Sequence, residues 1–319
     1  MKVTPPIPYP CISLPTPYPV GRVNAYLVPG EPPLLVDCGV KSRRSLAELE
    51  RGLAEGGVRL EEVGGILLTH PHYDHGGQAA QIARRTGVTV YTHADGVEYA
   101  FRGQELLYET LERYGAPPSL LHQLRELNRA GERYGEQMQE VPTLTLLADG
   151  DTVPGAARLT ALHTPGHNAG HLCYLDRAAG VLFCGDLLLR GITPNPLPHF
   201  DPDAEHGRRS SLQLYLESLD RVEALGPLVG LAGHGGPLKD TAAAARKARS
   251  GIHRRSELVL ELCAEHPDAT LYELAGKLFG EELPLGQALA FTEILAHCDR
   301  LEAAGKIVVD HDGGRARVA

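Results

Sequence analysis

Three histidines and an aspartate crowd into six residues of Thr69-His70-Pro71-His72-Tyr73-Asp74-His75-Gly76-Gly77. Imidazole and carboxylate are the groups that Zn²⁺ and similar divalent ions take as ligands. Three more stand later, each after an apolar run. His167 lies in His163-Thr164-Pro165-Gly166-His167-Asn168-Ala169-Gly170-His171, where a Pro-Gly turn aims it. Asp186 ends Val181-Leu182-Phe183-Cys184-Gly185-Asp186, and His234 stands among glycines in Ala232-Gly233-His234-Gly235-Gly236. Seven candidates exceed one tetrahedral ion. They suit two ions about 3.5–4 Å apart. His70, His72 and His167 would hold the first, Asp74, His75 and His234 the second, and Asp186 would bridge. A hydroxide shared by two such ions is a nucleophile near neutral pH, because the metals lower the pKa of bound water to roughly 7. The same ions polarise a carbonyl or phosphoryl oxygen. No serine or cysteine nucleophile is then required, and no G-x-S-x-G occurs.

The elements that must position these groups follow from hydrophobic patterning. The proline-rich start, residues 1–19, cannot be helical and reads as extended. Residues 23–28 and 34–39 read as two strands of a hairpin across a Pro-Gly turn. A helix with a capping box from Ser45 to Glu48 follows, carrying Leu46, Leu49 and Leu53, and ends at Gly56-Gly57. The His-rich loop joins a short strand (64–68) to a helix (78–85). A strand over 88–93 ends in His93, which reads as a structural histidine. Leu107, Leu111 and Tyr114, then Leu120, Leu124 and Leu127, make two stripes interrupted by Pro117-Pro118. These helices, at about 97–139, are expected to cap the site in part. Strands resume at 143–147 and 158–162 around an Asp149-Gly150-Asp151 turn, and again at 181–186 and 228–234. Beyond Thr241 the pattern turns helical (242–266, 270–279, 285–303) and closes with a hairpin at 306–318.

The chain has 319 residues, 43% apolar and 22% charged, enough for a large core. A net charge of −9 argues against a general nucleic-acid coat or an anionic membrane surface. No apolar run is long enough to span a membrane, and the start does not read as a signal peptide. The six cysteines form no CxxC pair and read as small buried residues of a reducing compartment, so the expected location is cytoplasmic.

The residues His70-Pro71-His72-Tyr73-Asp74-His75 resemble the HxHxDH signature of the metallo-β-lactamase-fold hydrolases. Thr164-Pro165-Gly166-His167, Cys184-Gly185-Asp186 and Ala232-Gly233-His234-Gly235 match the family's later motifs in order, so the resemblance covers roughly residues 20–240. It implies an α+β fold, an αββα four-layer sandwich with the metals at one edge. The catalytic domain would span 1–241 and a small winged-helix-like module 242–319. His163 to His171 is similar to the HTPGHTxGH stretch of glyoxalase II-like thioesterases, with Asn168 in place of the usual Thr or Ser. Asp186 stands where one lactamase subclass has a Cys ligand, which argues against β-lactam hydrolysis.

The tail is similar to that of lactamase-β-like endoribonucleases. Yet from residue 245 onward ten Lys/Arg face twelve Asp/Glu, without the basic excess of a nucleic-acid reader. A local basic run, Arg246, Lys247, Arg249, Arg254 and Arg255, keeps RNA in view. The module is expected to pack on the catalytic domain, shape its mouth or make a homodimer contact. The expectation is a hydrolase with two divalent ions, zinc first and iron or manganese next, acting on a small ester or thioester. The alternatives are an endoribonuclease for single-stranded RNA and a non-hydrolytic di-iron or binding protein. Asp74, Asp186 and His171 are the catalytic candidates, with His171 as a substrate contact or a donor behind the ligands. His199, on a rigid proline loop, and Tyr73 are candidates for the pocket, and Asp37 for orienting a ligand histidine.

Overall fold

The computed structural model describes residues 8–201, 203–204, 207–280 and 284–319. The first seven residues of the proline-rich start lie outside the described residues. The elements run β1 (Cys11–Leu14), β2 (Val23–Val28), β3 (Leu34–Val36), α1 (Arg43–Glu55), β4 (Gly65–Leu67), α2 (Tyr73–Gly76), α3 (Ala79–Thr86) and β5 (Thr89–Thr92). Then come α4 (Ala94–Arg113), α5 (Pro118–Gly131), β6 (Leu144–Leu146), β7 (Leu159–His163), β8 (Leu172–Asp176) and β9 (Val181–Gly185). The chain continues through β10 (His199–Phe200), β11 (Arg208–Arg209), α6 (Ser211–Ala224), β12 (Val229–Ala232), α7 (Thr241–Glu265), α8 (Leu271–Phe279), α9 (Pro284–Ala303), β13 (Ile307–Asp310) and β14 (Arg315–Val318).

Strands β1 to β6 form one sheet in sequence order, antiparallel at first and parallel from β3 onward. The second sheet has the order β12-β9-β8-β7. The two-residue period of a strand sorts side chains between layers. In β2, Tyr26 and Val28 enter a core shared by both sheets, while Val23, Ala25 and Leu27 pack outward with Leu49 and Leu53 of α1. In β8, Leu172 and Tyr174 face that shared core, and Cys173 and Leu175 pack outward with Leu212, Tyr215 and Leu219 of α6. The result is helix on sheet on sheet on helix, the four-layer sandwich expected. Phe183 sits at its centre, edge-on to Tyr9 (4.8 Å between centroids) and Tyr26 (5.6 Å).

A further apolar core lies outside the sandwich. It joins Leu111 of α4, Tyr114 at its C-terminal cap, and Leu120 and Leu124 of α5 to Val259, Leu274, Phe291 and Ile294 of the C-terminal helices, and to Ile307 and Ala316 of the closing hairpin. The apolar stripes of the inserted helices therefore pack on the C-terminal segment rather than on the sandwich. Arg208 of β11 fixes the junction. Its buried guanidinium pairs with Asp299 of α9 (2.6 and 2.9 Å) and reaches the Tyr114 hydroxyl (3.3 Å).

Several local expectations need correction. The first helix starts two residues before Ser45. Ser42 is its cap, extended in backbone, and its hydroxyl accepts from the Ser45 amide at 3.0 Å. Strand β8 and helix α6 are missing from the sequence reading. The first is a short apolar run directly after the His-rich turn. The second shows a plain stripe of Leu212, Tyr215, Leu219 and Val222. All six cysteines are free thiols, and Cys11 is exposed rather than buried.

Candidate metal centre

All seven expected ligands follow the C-terminal ends of strands, from both sheets. His70, His72, Asp74 and His75 follow β4, where α2 turns the chain after His72. His167 follows β7, Asp186 follows β9 and His234 follows β12. The donor atoms of His70, His72 and His167 lie within 4.8 Å of one another, and so do those of Asp74, His75 and His234. These are the two expected sets, and the donors of His70, His75 and Asp186 also lie within 4.8 Å of one another, which joins them into one cluster. Asp186 lies between them. Its Oδ1 is 3.5 Å from His75 Nε2, and its Oδ2 is 3.8 Å from His167 Nε2 and 3.6 Å from His234 Nε2. Glycine is the residue type that fits at Gly233, beside this carboxylate: a Cβ there would overlap Asp186 Oδ1 and come within 2.6 Å of His75 Cε1.

Four of the five rings are aimed by the outer nitrogen. His234 Nδ1 donates to the Arg22 carbonyl at 2.9 Å and His167 Nδ1 to the Asn195 carbonyl at 2.8 Å. His70 Nδ1 meets Thr69 Oγ1 at 3.1 Å, and His75 Nδ1 meets Asp37 Oδ2 at 2.8 Å. With the outer nitrogen protonated, the inner one presents a lone pair to the centre. His70 Nε2, His75 Nε2, His234 Nε2 and Asp186 Oδ1 are buried and have no hydrogen-bond partner. An orphaned buried polar atom costs about 1–3 kcal/mol. Four of them converging, beside further carboxylate and imidazole donors, fit divalent cations.

The charge states agree except at His75, whose inner proton a bound cation would have to displace. Burial raises Asp186, but His75, His234 and His167 outweigh it and hold the carboxyl well below the usual range. Burial and the neighbouring histidines push His70 well down, and burial with His167 pushes His72 down to about 3. Burial opposes charge on His75 too, yet Asp186, Asp37 and Asp74 hold it well above its ordinary value.

The remaining candidates sort by position. Asp37 is buried at the end of β3 with a left-handed backbone (φ 57°). It accepts from the Thr69 amide and hydroxyl, both at 2.8 Å, as well as from His75. His171 is corrected as a substrate contact: it is fully buried, Nδ1 bonds Thr164 Oγ1 at 3.0 Å and Nε2 accepts from the Asp186 amide at 3.1 Å. It steadies Asp186 from behind. His199 is buried away from the pocket, and His93 caps α4 and stacks on His163 at 3.8 Å. Two positioning residues escape a sequence reading. Asn24 of β2 holds the His234 loop through the Ala232 and Gly235 carbonyls (3.0 and 2.9 Å). An asparagine inside an otherwise apolar strand is the signal that marks it. Asn195 carries no such signal.

His72, Asp74, His167, Asp186 and His234 form the floor of a cleft of about 1430 Å³. Leu107 of α4, Leu127 of α5, and Leu285 and Leu289 of α9 line its walls, with Tyr73, whose hydroxyl accepts from Gln137 at 3.1 Å. Nine large apolar side chains are exposed among the described residues, and five of them, Val20, Leu127, Ile192, Leu285 and Leu289, line this one cleft. No lysine or arginine is among the described residues that line it. Its acids beyond the ligand set are occupied, Glu136 by Lys41 and Arg84, and Glu126 by Arg129 at 2.8 Å.

A sandwich of this order, with clustered ligands at the strand ends of both sheets, defines a metallo-hydrolase type of protein. The model of the metallo-beta-lactamase superfamily matches residues 18–234, and the chain belongs to that superfamily. It is 27% identical over 309 residues to the probable metallo-hydrolase YqjP of Bacillus subtilis, covering 95% of this chain and 94% of the relative. It is 29% identical over 194 residues to the acyl-coenzyme A thioesterase MBLAC2 of Homo sapiens, covering 56% of this chain and 62% of the relative. Among solved structures, a metallo-beta-lactamase family protein of Thermus thermophilus aligns with a TM-score of 0.81 at 30% identity, over 97% of this chain and 98% of the other. No described helix is long and apolar enough to cross a membrane.

Proposed function

We propose that the protein hydrolyses thioesters of apolar acyl groups, using two divalent ions, zinc in the first instance, held by His70, His72, Asp74, His75, His167, Asp186 and His234. The observation that carries this reading is the greasy, cation-poor cleft directly over the ligand cluster. Divalent ions bound there would acidify a water and polarise the thioester carbonyl. Asp186, kept ionised by its histidine neighbours and fixed through its amide by His171, spans both donor sets. Tyr73 and the leucines of α4, α5 and α9 seat the acyl chain. A glutathione thioester offers two carboxylates, and an RNA strand a phosphate at every step. The described lining has no lysine or arginine to meet either. The C-terminal segment serves on this reading as a wall of the substrate cleft.

The test is a chain-length series on metal-loaded protein. Each buried methylene contributes about 0.8 kcal/mol, so kcat/KM should rise about fourfold per added methylene until the cleft is filled. Asp186→Asn should abolish turnover in a folded protein. Inert thioesters together with cleavage of single-stranded RNA would overturn the proposal.

A further inference from the structure

The basic run on α7 does two different jobs. Arg249 turns to Asp220 and Glu223 of α6, and Arg246 reaches Glu223 at 3.2 Å, so both fasten α7 to the sandwich. Arg255 lies 3.5 Å from Glu293 and over the Phe279 ring. Lys247 and Arg254 face the other way. One helical repeat of seven residues puts them on the same face. They make no ion pair or hydrogen bond with a described residue, and neither does Arg190 from the segment after β9. These three, with Arg255, line a cavity of about 670 Å³. Glu293 is the one acid among its described lining residues, and Arg255 answers it.

In a chain of net charge −9, unpaired cations gathered in a concavity mark a site for an anion of several charges. The place of the cavity says which anion. Leu189, Ile192, Thr193 and Pro194 line both this cavity and the catalytic cleft, so the two share a wall. A thioester has two arms. With its carbonyl at the ligand cluster and its acyl arm in the apolar cleft, its thiol arm has this wall to cross. Resting on the thioesterase reading above, we infer that the cavity binds the phosphorylated end of the thiol carrier, a nucleotide diphosphate of the coenzyme A kind, through Arg190, Lys247 and Arg254. Guanidinium forks suit phosphate oxygens. RNA fits less well, because its charged backbone would also have to cross a cleft with no described lysine or arginine.

The test compares the metal-loaded wild type with Lys247→Ala/Arg254→Ala. One fatty acyl group is presented on coenzyme A and on uncharged N-acetylcysteamine. KM for the coenzyme A ester should rise tenfold or more in the double variant, with kcat within twofold. Kinetics on the N-acetylcysteamine ester should not move. Calorimetry with free coenzyme A should show the same loss of affinity, and wild-type affinity should fall as salt rises. A KM within twofold of wild type, or an equal change for both esters, overturns the inference while the hydrolase reading stands. If the wild type turns over neither ester, the hydrolase reading fails and calorimetry alone decides: weaker coenzyme A binding in the double variant supports the site, and unchanged binding overturns it. Single-stranded RNA binding more tightly than coenzyme A and depending on the same two residues also overturns it.

Discussion

Asp37→Asn isolates the aiming of one ligand from the ligand itself. Asp37 does not belong to the donor set, but its Oδ2 takes the Nδ1 proton of His75 at 2.8 Å, and its Oδ1 takes the Thr69 amide at 2.8 Å. Asparagine keeps the shape, tolerates the left-handed backbone (φ 57°) and can still accept from Thr69. It puts an NH₂ donor where His75 needs an acceptor. The ring then gains from moving its proton to Nε2, the nitrogen that must ligate. Losing a charge-assisted hydrogen bond costs about 1.5–3 kcal/mol. Loss of such an outer partner typically lowers metal affinity about 10–100-fold, which is about 1.4–2.7 kcal/mol and so agrees with the bond lost. Competition against a chromogenic chelator measures this directly. Circular dichroism should show an unchanged fold, and kcat/KM at limiting metal should fall in step. Metal affinity within twofold of wild type in a folded Asp37→Asn protein would refute the reasoning, because His75 would then be aimed by something else.

Gly233→Ala should leave the sandwich folded and lose at least a tenfold share of metal affinity, since its methyl overlaps Asp186 Oδ1 and crowds His75. Chelator competition and a thermal melt separate the two effects. His297 gives a pH test: it is buried against Ser256 at 2.8 Å, and burial with Arg255 and Arg300 lowers it to about 3. A histidine depressed in the folded state contributes stability that is complete above its unfolded value near 6.5 and is lost as pH falls toward 3. The loss is about 5 kcal/mol at most. Urea midpoints of His297→Gln should therefore fall less steeply than wild type between pH 6.5 and 4, and parallel curves would reject the assignment.

The ligand cluster is legible in the sequence because its constraints are local. A metal donor must be one of few residue types, and it must stand where a strand stops and the chain turns. His70, His167, Asp186 and His234 all meet both conditions within a few residues of sequence. His171 and His199 satisfy the same rule, which leaves His171 open between a substrate contact and a place behind the ligands and offers His199 for the pocket, yet one props Asp186 and the other is buried elsewhere. Residue type near a motif does not say which side of the backbone a ring occupies. The stripes Leu111-Tyr114 and Leu120-Leu124 show the same limit. They announce an apolar face but carry no label for its partner, which is the set of C-terminal helices more than a hundred residues away.

That partnership bears on how substrate choice is coupled to chemistry. The inserted helices and α9 share one core, and the outer faces of both, through Leu127 and Leu289, line the cleft. The core is also wired to the donor set through a single residue. Asn195 accepts the Nδ1 proton of His167 on its carbonyl, while its side chain donates to the Leu289 carbonyl at 2.7 Å and accepts from the Thr292 hydroxyl at 2.9 Å. A shift of α9 would therefore move a wall of the cleft and the support of a ligand histidine together. Substitutions in that core thus act on specificity and on the aim of His167 at once.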